Sequence, residues 1–340
     1  MRATWAIALS AGLVLVQIAS TALAGETLQK VRERGHIRCG VSQGLPGFSS
    51  PSGDQGSWQG IDVDYCHALA AAVLGDRSKV RFRPLSAKER FTALQSGEID
   101  VLSRNTTWTA TRDTALGIHF VGVIYYDGQG FMVPKSLGLD SARQLGGAAV
   151  CSNAGTTTEL NMADYFRANG MDFEPVVFEN TDEVIAAYQA GRCDVYTTDR
   201  SGLYAQRIKL EDPDAHEVLP EVISKEPLGP AVRQGDDEWF NIAKWTLFAL
   251  FQAEELGIDS GNVEQHLDSE NPRVKRFLGV DGSIGENLGL NDRWAYRIVK
   301  QVGNYAQMYE RHLASEPLAI PRGQNKLWND GGLHYPPAFR

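Results

Sequence analysis

Hydrophobic and polar positions along this chain switch between two periods, and the order of the switches predicts its elements. Leu28 to Arg34 reads as a short charged helix stopped by Gly35, and Ile37 to Val41 alternates as a strand. From about Asp62 to Leu74, Cys66, Leu69, Ala70 and Val73 fall at i, i+3, i+4 and i+7, the stripe of a packed helix. Val80 to Leu85 is extended again, Ser86 is placed to cap a helix carrying Phe91 and Leu94, and Ile99 to Leu102 is a third strand. The order β-α-β-α-β is that of a parallel sheet with crossover helices.

The same order then recurs. Ala148 to Cys151 is a strand, Asn153 through Thr158 opens a helix, and Pro175 to Phe178 is a strand. Asn180 or Thr181 caps the next helix, which Gly191 ends before a strand from Asp194 to Thr197. Part of the first unit is written twice. Ala93-Leu94-Gln95-Ser96-Gly97-Glu98-Ile99-Asp100-Val101 lines up with Ala187-Tyr188-Gln189-Ala190-Gly191-Arg192-Cys193-Asp194-Val195, 94 residues later. Continuing that register puts Asn105 opposite Asp199. Two copies of one unit imply two similar lobes, and a cleft between lobes is a common place for a small ligand.

Two extended segments join the copies. Tyr125 to Val133 is aromatic and broken by Asp127-Gly128-Gln129-Gly130, while Glu221 to Val232 is stiffened by Pro227, Gly229 and Pro230. Run antiparallel, they form a pair of interlobe crossings. Asp236 onward is helical and aromatic-rich to about Arg311, then rich in proline and glycine from Pro321 to Pro337.

Charge and the first residues add a compartment. Arg2, an apolar run through Ile18 and the small-x-small box Ala22-Leu23-Ala24 mark residues 1–24 as a secretory signal peptide. The formal net charge of −9 makes nucleic acid a poor partner. Cys39, Cys66, Cys151 and Cys193 allow three connectivities, or none if they are buried thiols. In an oxidising compartment, pairing inside each lobe leaves the lobes free to move and favours 39–66 with 151–193. Their spacing holds no C-x₂-C, so no zinc or other metal site is expected.

Enzyme templates fail: there is no H-E-x-x-H, G-x-S-x-G, Walker loop or G-x-G-x-x-G, and the seven histidines are scattered. What remains is a set of polar residues at the C-terminal ends of expected parallel strands, where ligands of open α/β sheets bind. Ser42 and Gln43 follow the first strand, and Asn105 to Thr107 follow the third. Thr156 and Thr157 open a helix in the second copy, and Asp199 follows its last strand. Arg112 is a permanent cation able to grip a carboxylate, and the helix start at Thr156-Thr157 suits an anion as well. Asp199 suits an ammonium and is the one carboxylate this pattern places at a strand end. A cation, a helix start and a carboxylate converging on one cleft describe a site for a zwitterion.

The stretches GHIRCGVSQGLPGFS, GIDVDYC, PLSAKERFTALQSGEIDVLSRNTTWT-x-TRD, YYDGQGFMV and GGLHYPP carry a family resemblance. The chain resembles a periplasmic solute-binding protein of a polar-amino-acid ABC transporter, within the general L-amino-acid-binding group whose relatives favour glutamate, glutamine, aspartate and asparagine. The resemblance implies an α/β, two-lobed, type II periplasmic-binding-protein fold with a parallel-dominated sheet in each lobe and two hinge crossings, near Tyr126–Gly128 and Lys225–Leu228. Lobe 1 is expected at 25–125 plus 228–340, with a C-terminal helical extension and tail, and lobe 2 at 128–224.

By the same resemblance Arg112 binds the ligand carboxylate with help from Thr107, and Asn105 adds a polar contact. Thr157 and the backbone around Thr156 complete the carboxylate site, and Asp199 holds the α-ammonium. Ser42 stands where binders of cationic amino acids carry an acid. Arg90 aligns with an arginine that reaches a distal carboxylate. No aromatic lies near Ala87, so Phe48, Trp58 or Trp108 is expected to stack on the ligand. The expected protein is a periplasmic monomer that meets an L-amino acid and ABC permease subunits, with no cofactor and no catalytic residue. The rival is an enzyme on the same fold, a periplasmic dehydratase or lyase acting on a small carboxylic acid.

Overall fold

The structure, a computed structural model, describes residues 26–53 and 56–340. The expected signal segment and the turn residues Asp54-Gln55 lie outside the described residues. No helix among the described residues is long and apolar enough to cross a membrane.

Each copy of the β-α-β-α-β order becomes a five-stranded sheet. The first runs Val80–Leu85, Ile37–Ser42, Val101–Leu102, Ala231–Arg233, Ile118–Phe120, and the second runs Glu174–Phe178, Ala149–Asn153, Val195–Asp199, Gln129–Pro134, His216–Val218. In both, the first three strands are parallel and the fourth is antiparallel to its neighbours on either side. The duplicated unit is visible at the turns. Gly97 and Gly191, with φ of 77° and 69°, end the helices Arg90–Gln95 and Thr181–Gln189 in the left-handed region that favours glycine.

Ser86 acts one turn earlier than expected. It exchanges hydrogen bonds with Glu89, and the helix itself begins at Arg90. The third strand is also shorter than the alternation suggests, starting at Val101.

Strand alternation feeds two cores in the second lobe. Phe131, Val133, Val150 and Val195 pack on one face of its sheet, and Met132, Cys151 and Tyr196 on the other. The first lobe is larger because the C-terminal helices join it. Asp237–Glu255 and Trp294–Gln301 pack on the helix Ile61–Leu74, burying Trp239, Trp294, Ile298 and Tyr305. The disulfides pair Cys39 with Cys66 and Cys151 with Cys193, with Cα separations of 6.4 and 5.7 Å. Each stays within one lobe.

Between the sheets the chain crosses twice as a two-stranded ribbon. Glu226–Leu228 pairs antiparallel with Tyr125–Asp127, matching Glu226 to Asp127. Gly128 follows at once, and a Cβ there would lie 2.3 Å from Val222 Cγ1, so the close approach of the returning chain requires glycine.

The proline- and glycine-rich tail is built into this crossing. Buried Asn325 accepts from the Tyr126 N–H at 2.6 Å and donates to the Tyr126 carbonyl at 3.1 Å. Arg322 is anchored by two hydrogen bonds to Glu254, and His312 reaches buried Asp64 at 2.7 Å. Replacing Asn325 with alanine should leave two backbone groups of the crossing strand unsatisfied and cost about 1–3 kcal/mol of stability. A urea titration checks this; an unchanged midpoint would show that the tail does not brace the crossing.

Candidate functional site

The C-terminal ends of the parallel strands in both sheets face one cavity. Ser42, Arg90, Asn105 and Thr107 line it from the first lobe, and Thr156, Thr157 and Asp199 from the second. Arg112 is the one expected site residue not among the cavity-lining residues. It lies immediately behind, on the short helix Ala110–Ala115 whose cap, Thr109, accepts from the Arg112 N–H. Its guanidinium Nη1 donates to the Thr107 carbonyl at 2.9 Å and lies over the Phe91 ring.

Local structure explains how each group is aimed. Asp62, at the start of the helix Ile61–Leu74, accepts from the Asn105 N–H at 2.9 Å and from Ser103 Oγ at 3.1 Å. That grip holds Asn105 at a φ of 31°, which asparagine tolerates better than most residues. Burial pushes the Asp62 carboxyl up to about 6. Thr156 caps the helix Thr157–Ala168 by accepting from Glu159 N; the N–H groups before Glu159 have no partner within the helix, as at any helix start. Asp199 ends its strand and starts the helix Arg200–Arg207 without capping it.

The electrostatics are those of a packed charge cluster. Asp199 is 6% exposed. Burial, then the charges of Asp127 and Glu226, hold its carboxyl well above the usual range, against the pull of Arg90 and Arg112. Arg90 is 3% exposed; its Nη1 has a long contact of 3.4 Å to Thr106 Oγ1, and its Nε has no partner among the described residues. Burial, then Arg104 and Arg112, make this guanidinium less basic than usual.

Two charged residues of the site are absent from the sequence reading. Arg104 lines the cavity beside Arg90, held by the Leu85 carbonyl at 2.9 Å. Asp199 remains the carboxylate at a strand's C-terminal end that lines the cavity, and Glu226, at the start of the crossing strand, is a second buried carboxylate just behind the lining. Its Oε2 accepts from Thr107 Oγ1 at 2.6 Å and Thr157 Oγ1 at 3.0 Å, and its Oε1 from Ser224 Oγ at 2.6 Å and Asn161 Nδ2 at 2.8 Å. The only sequence signal for Arg104 is its place directly before Asn105. Glu226 has none beyond its proline neighbour.

The aromatic expectation also changes. Phe48 packs edge-on against Tyr125, Trp58 against Phe82, and Trp108 stacks on Phe120. None of the three lines the cavity, whereas Tyr196 does. Their rings are held in neighbouring aromatic pairs, which the lone positions do not reveal.

Comparison with known proteins agrees with this geometry. Residues 37–257 match the family model of bacterial extracellular solute-binding proteins, family 3. The general L-amino acid-binding periplasmic protein AapJ of Rhizobium johnstonii is 57% identical, with 97% of each chain covered. The glutamate/glutamine/aspartate/asparagine-binding protein BztA of Rhodobacter capsulatus is 48% identical, over 96% of this chain and 97% of its own. A solved ABC transporter/periplasmic binding protein from Brucella ovis, with glutathione bound, superposes with a TM-score of 0.91. It shares 56% identity and covers 92% of this chain and 99% of its own.

Proposed function

Because the chain belongs to the bacterial extracellular solute-binding proteins, family 3, we propose that it captures L-α-amino acids between its lobes and delivers them to the permease subunits of an ABC importer. The observation that carries this reading is the single cavity in which Asp199, a helix start and buried arginines meet from the strand ends of two sheets. Arg112 takes the α-carboxylate together with the N–H groups at the start of Thr157–Ala168, and Asp199 takes the α-ammonium. Arg90, with Arg104 beside it, reaches a side-chain carboxylate or amide, so glutamate, glutamine, aspartate and asparagine are favoured. Ser42 supplies no anion for a cationic side chain.

Lobe 1 on this reading is 25–125 plus 228–340 and lobe 2 is 128–224, with bending at the crossing ribbon. Each lobe offers only part of the zwitterion's partners, so the closed state has the higher affinity. The protein acts as a periplasmic monomer once residues 1–24 are removed. The names of its relatives support the ligand class. Glutathione, held by the Brucella ovis relative, ends in a γ-glutamyl group with the same α-ammonium and α-carboxylate, so this anchor pair suits it too.

A dehydratase or lyase needs a free acid or base beside its substrate. Glu226 is the added carboxylate, but four donors already occupy it. Isothermal titration of ligand-stripped protein against the common L-amino acids tests the proposal, and no heat with any of them would overturn it. Mass spectrometry of the recovered ligand should find it unchanged. Replacing Arg90 with alanine should weaken glutamate about tenfold more than alanine or leucine, the worth of one charge-assisted contact. Equal losses across that panel would remove Arg90 as a specificity residue.

A further inference from the structure

We propose that Glu226 is a positioning residue of the amino-acid site: from the crossing strand it ties Thr107 of one lobe to Thr157 and Asn161 of the other, and makes both threonines meet the ligand as hydrogen-bond acceptors. The inference rests on the amino-acid reading above and adds a residue to it. Glu226 is 1% exposed. A carboxylate has about four acceptor positions, and Thr107, Thr157, Ser224 and Asn161 fill them at 2.6–3.0 Å. It therefore has no capacity left for a ligand and acts through the groups it holds.

The identity of those groups gives the consequence. A threonine hydroxyl carries one proton, and Glu226 Oε2, which only accepts, draws both: it lies 2.6 Å from Thr107 Oγ1 and 3.0 Å from Thr157 Oγ1, closer than the 3.4 Å between the two hydroxyls. Thr107 and Thr157 both line the cavity, and their hydroxyl oxygens are left with only lone pairs to offer. An ammonium can use them; a carboxylate, which only accepts, cannot. Thr107 and Thr157 thus pass from the carboxylate end of the ligand to its amine end, beside Asp199. The carboxylate falls to Arg112 and to backbone N–H groups.

The same arrangement couples binding to closure. Thr107 follows the strand Val101–Leu102 of the first sheet, and Thr157 and Asn161 lie on the helix that follows Ala149–Asn153 of the second. Both sides end on one carboxylate of the ribbon, so parting the lobes breaks the Oε2 pair and frees the hydroxyls to turn. Across the rung, Asp127 accepts from the backbone N–H and hydroxyl of Ser201, in the helix that follows Asp199. One rung thus sets both halves of the second lobe's contribution.

A double-mutant cycle on the full chain tests this, with L-glutamate as the titrant. Thr107→Val should weaken binding about tenfold in the wild-type background, and Glu226→Ala about 10–100-fold, the range for hydrogen bonds to a charged group. In the Glu226→Ala background, Thr107→Val should cost less than about twofold, because the hydroxyl is no longer held in place. A purely structural Glu226 would lower the unfolding midpoint yet leave the cost of Thr107→Val unchanged, and that additive result overturns the inference. Should Glu226→Ala fail to fold, Thr107→Val decides it alone through glutarate, which lacks the ammonium, read by ligand-observed NMR. Glutarate binding unchanged within about twofold supports the inference; a loss equal to that for L-glutamate overturns it. Wild-type protein that binds no amino acid defeats the function itself, whereas a wild-type binder with an additive cycle defeats only the role of Glu226.

Discussion

Replacing Arg112 with alanine should weaken the binding of every L-amino acid by about 30-fold or more, whatever its side chain. The α-carboxylate is common to all of them, and on the proposed function it goes to Arg112, which is buried behind the cavity and bonded to the carbonyl of cavity-lining Thr107. Burial makes this guanidinium less basic than usual, while the charges of Glu226 and Asp199 pull the other way. It stays charged, because arginine does not lose its proton in this range. Removing one partner of a buried, hydrogen-bonded charge pair costs about 2–5 kcal/mol, which is about 30-fold to several thousandfold in affinity. Arg112→Lys keeps the charge but not the planar fork, and should recover only part of the loss. Calorimetry on a panel of neutral, acidic and amide ligands checks this. Selective loss of the acidic ligands alone would mean that Arg112 reads the side chain instead.

The second large effect is on Asp199, and it is a pH effect as well as a mutational one. Burial and the nearby carboxylates of Asp127 and Glu226 raise its pKa well above the usual range, with Arg90 and Arg112 opposing. A carboxyl whose pKa is raised in the free protein holds its proton to higher pH than usual, and an arriving ammonium favours the ionised form. Binding therefore releases a proton, and affinity falls as pH drops below the pKa of Asp199, by up to about tenfold per unit. L-glutamine is the suitable probe because its side chain does not titrate. Heats measured in two buffers of different ionisation enthalpy report the proton directly. Asp199→Asn should bind about 30-fold or more weakly, with no pH response in that window. Proton uptake on binding to the wild type would contradict the assignment.

Much of this was legible in the chain because it is local. Strand alternation, helical stripes and the repeated helix–turn–strand unit depend on neighbours a few residues apart, and they placed Asn105, Thr107, Thr157 and Asp199 at strand ends. The disulfides followed from the two lobes. Glu226 was hidden because its meaning depends on donors from positions 107, 157, 161 and 224, none of which marks a glutamate beside a proline as buried. Arg104 was hidden for a related reason: a cation next to a loop asparagine looks solvated until the Leu85 carbonyl is seen to turn it inward. The tail misleads in the same way. Its short turns have no periodicity, yet Leu327 and Phe339 belong to the first lobe's core, and Asn325 holds the crossing strand.

The central claim is that the site reads both charges of an α-amino acid at once. Its most direct test titrates ligand-stripped protein with L-glutamate and with two compounds that each lack one charge: γ-aminobutyrate, without the α-carboxylate, and 2-oxoglutarate, without the ammonium. The account predicts that L-glutamate binds and that each of the other two loses about 30-fold or more, the cost of leaving one buried partner unpaired. Either compound binding as tightly as L-glutamate would contradict it.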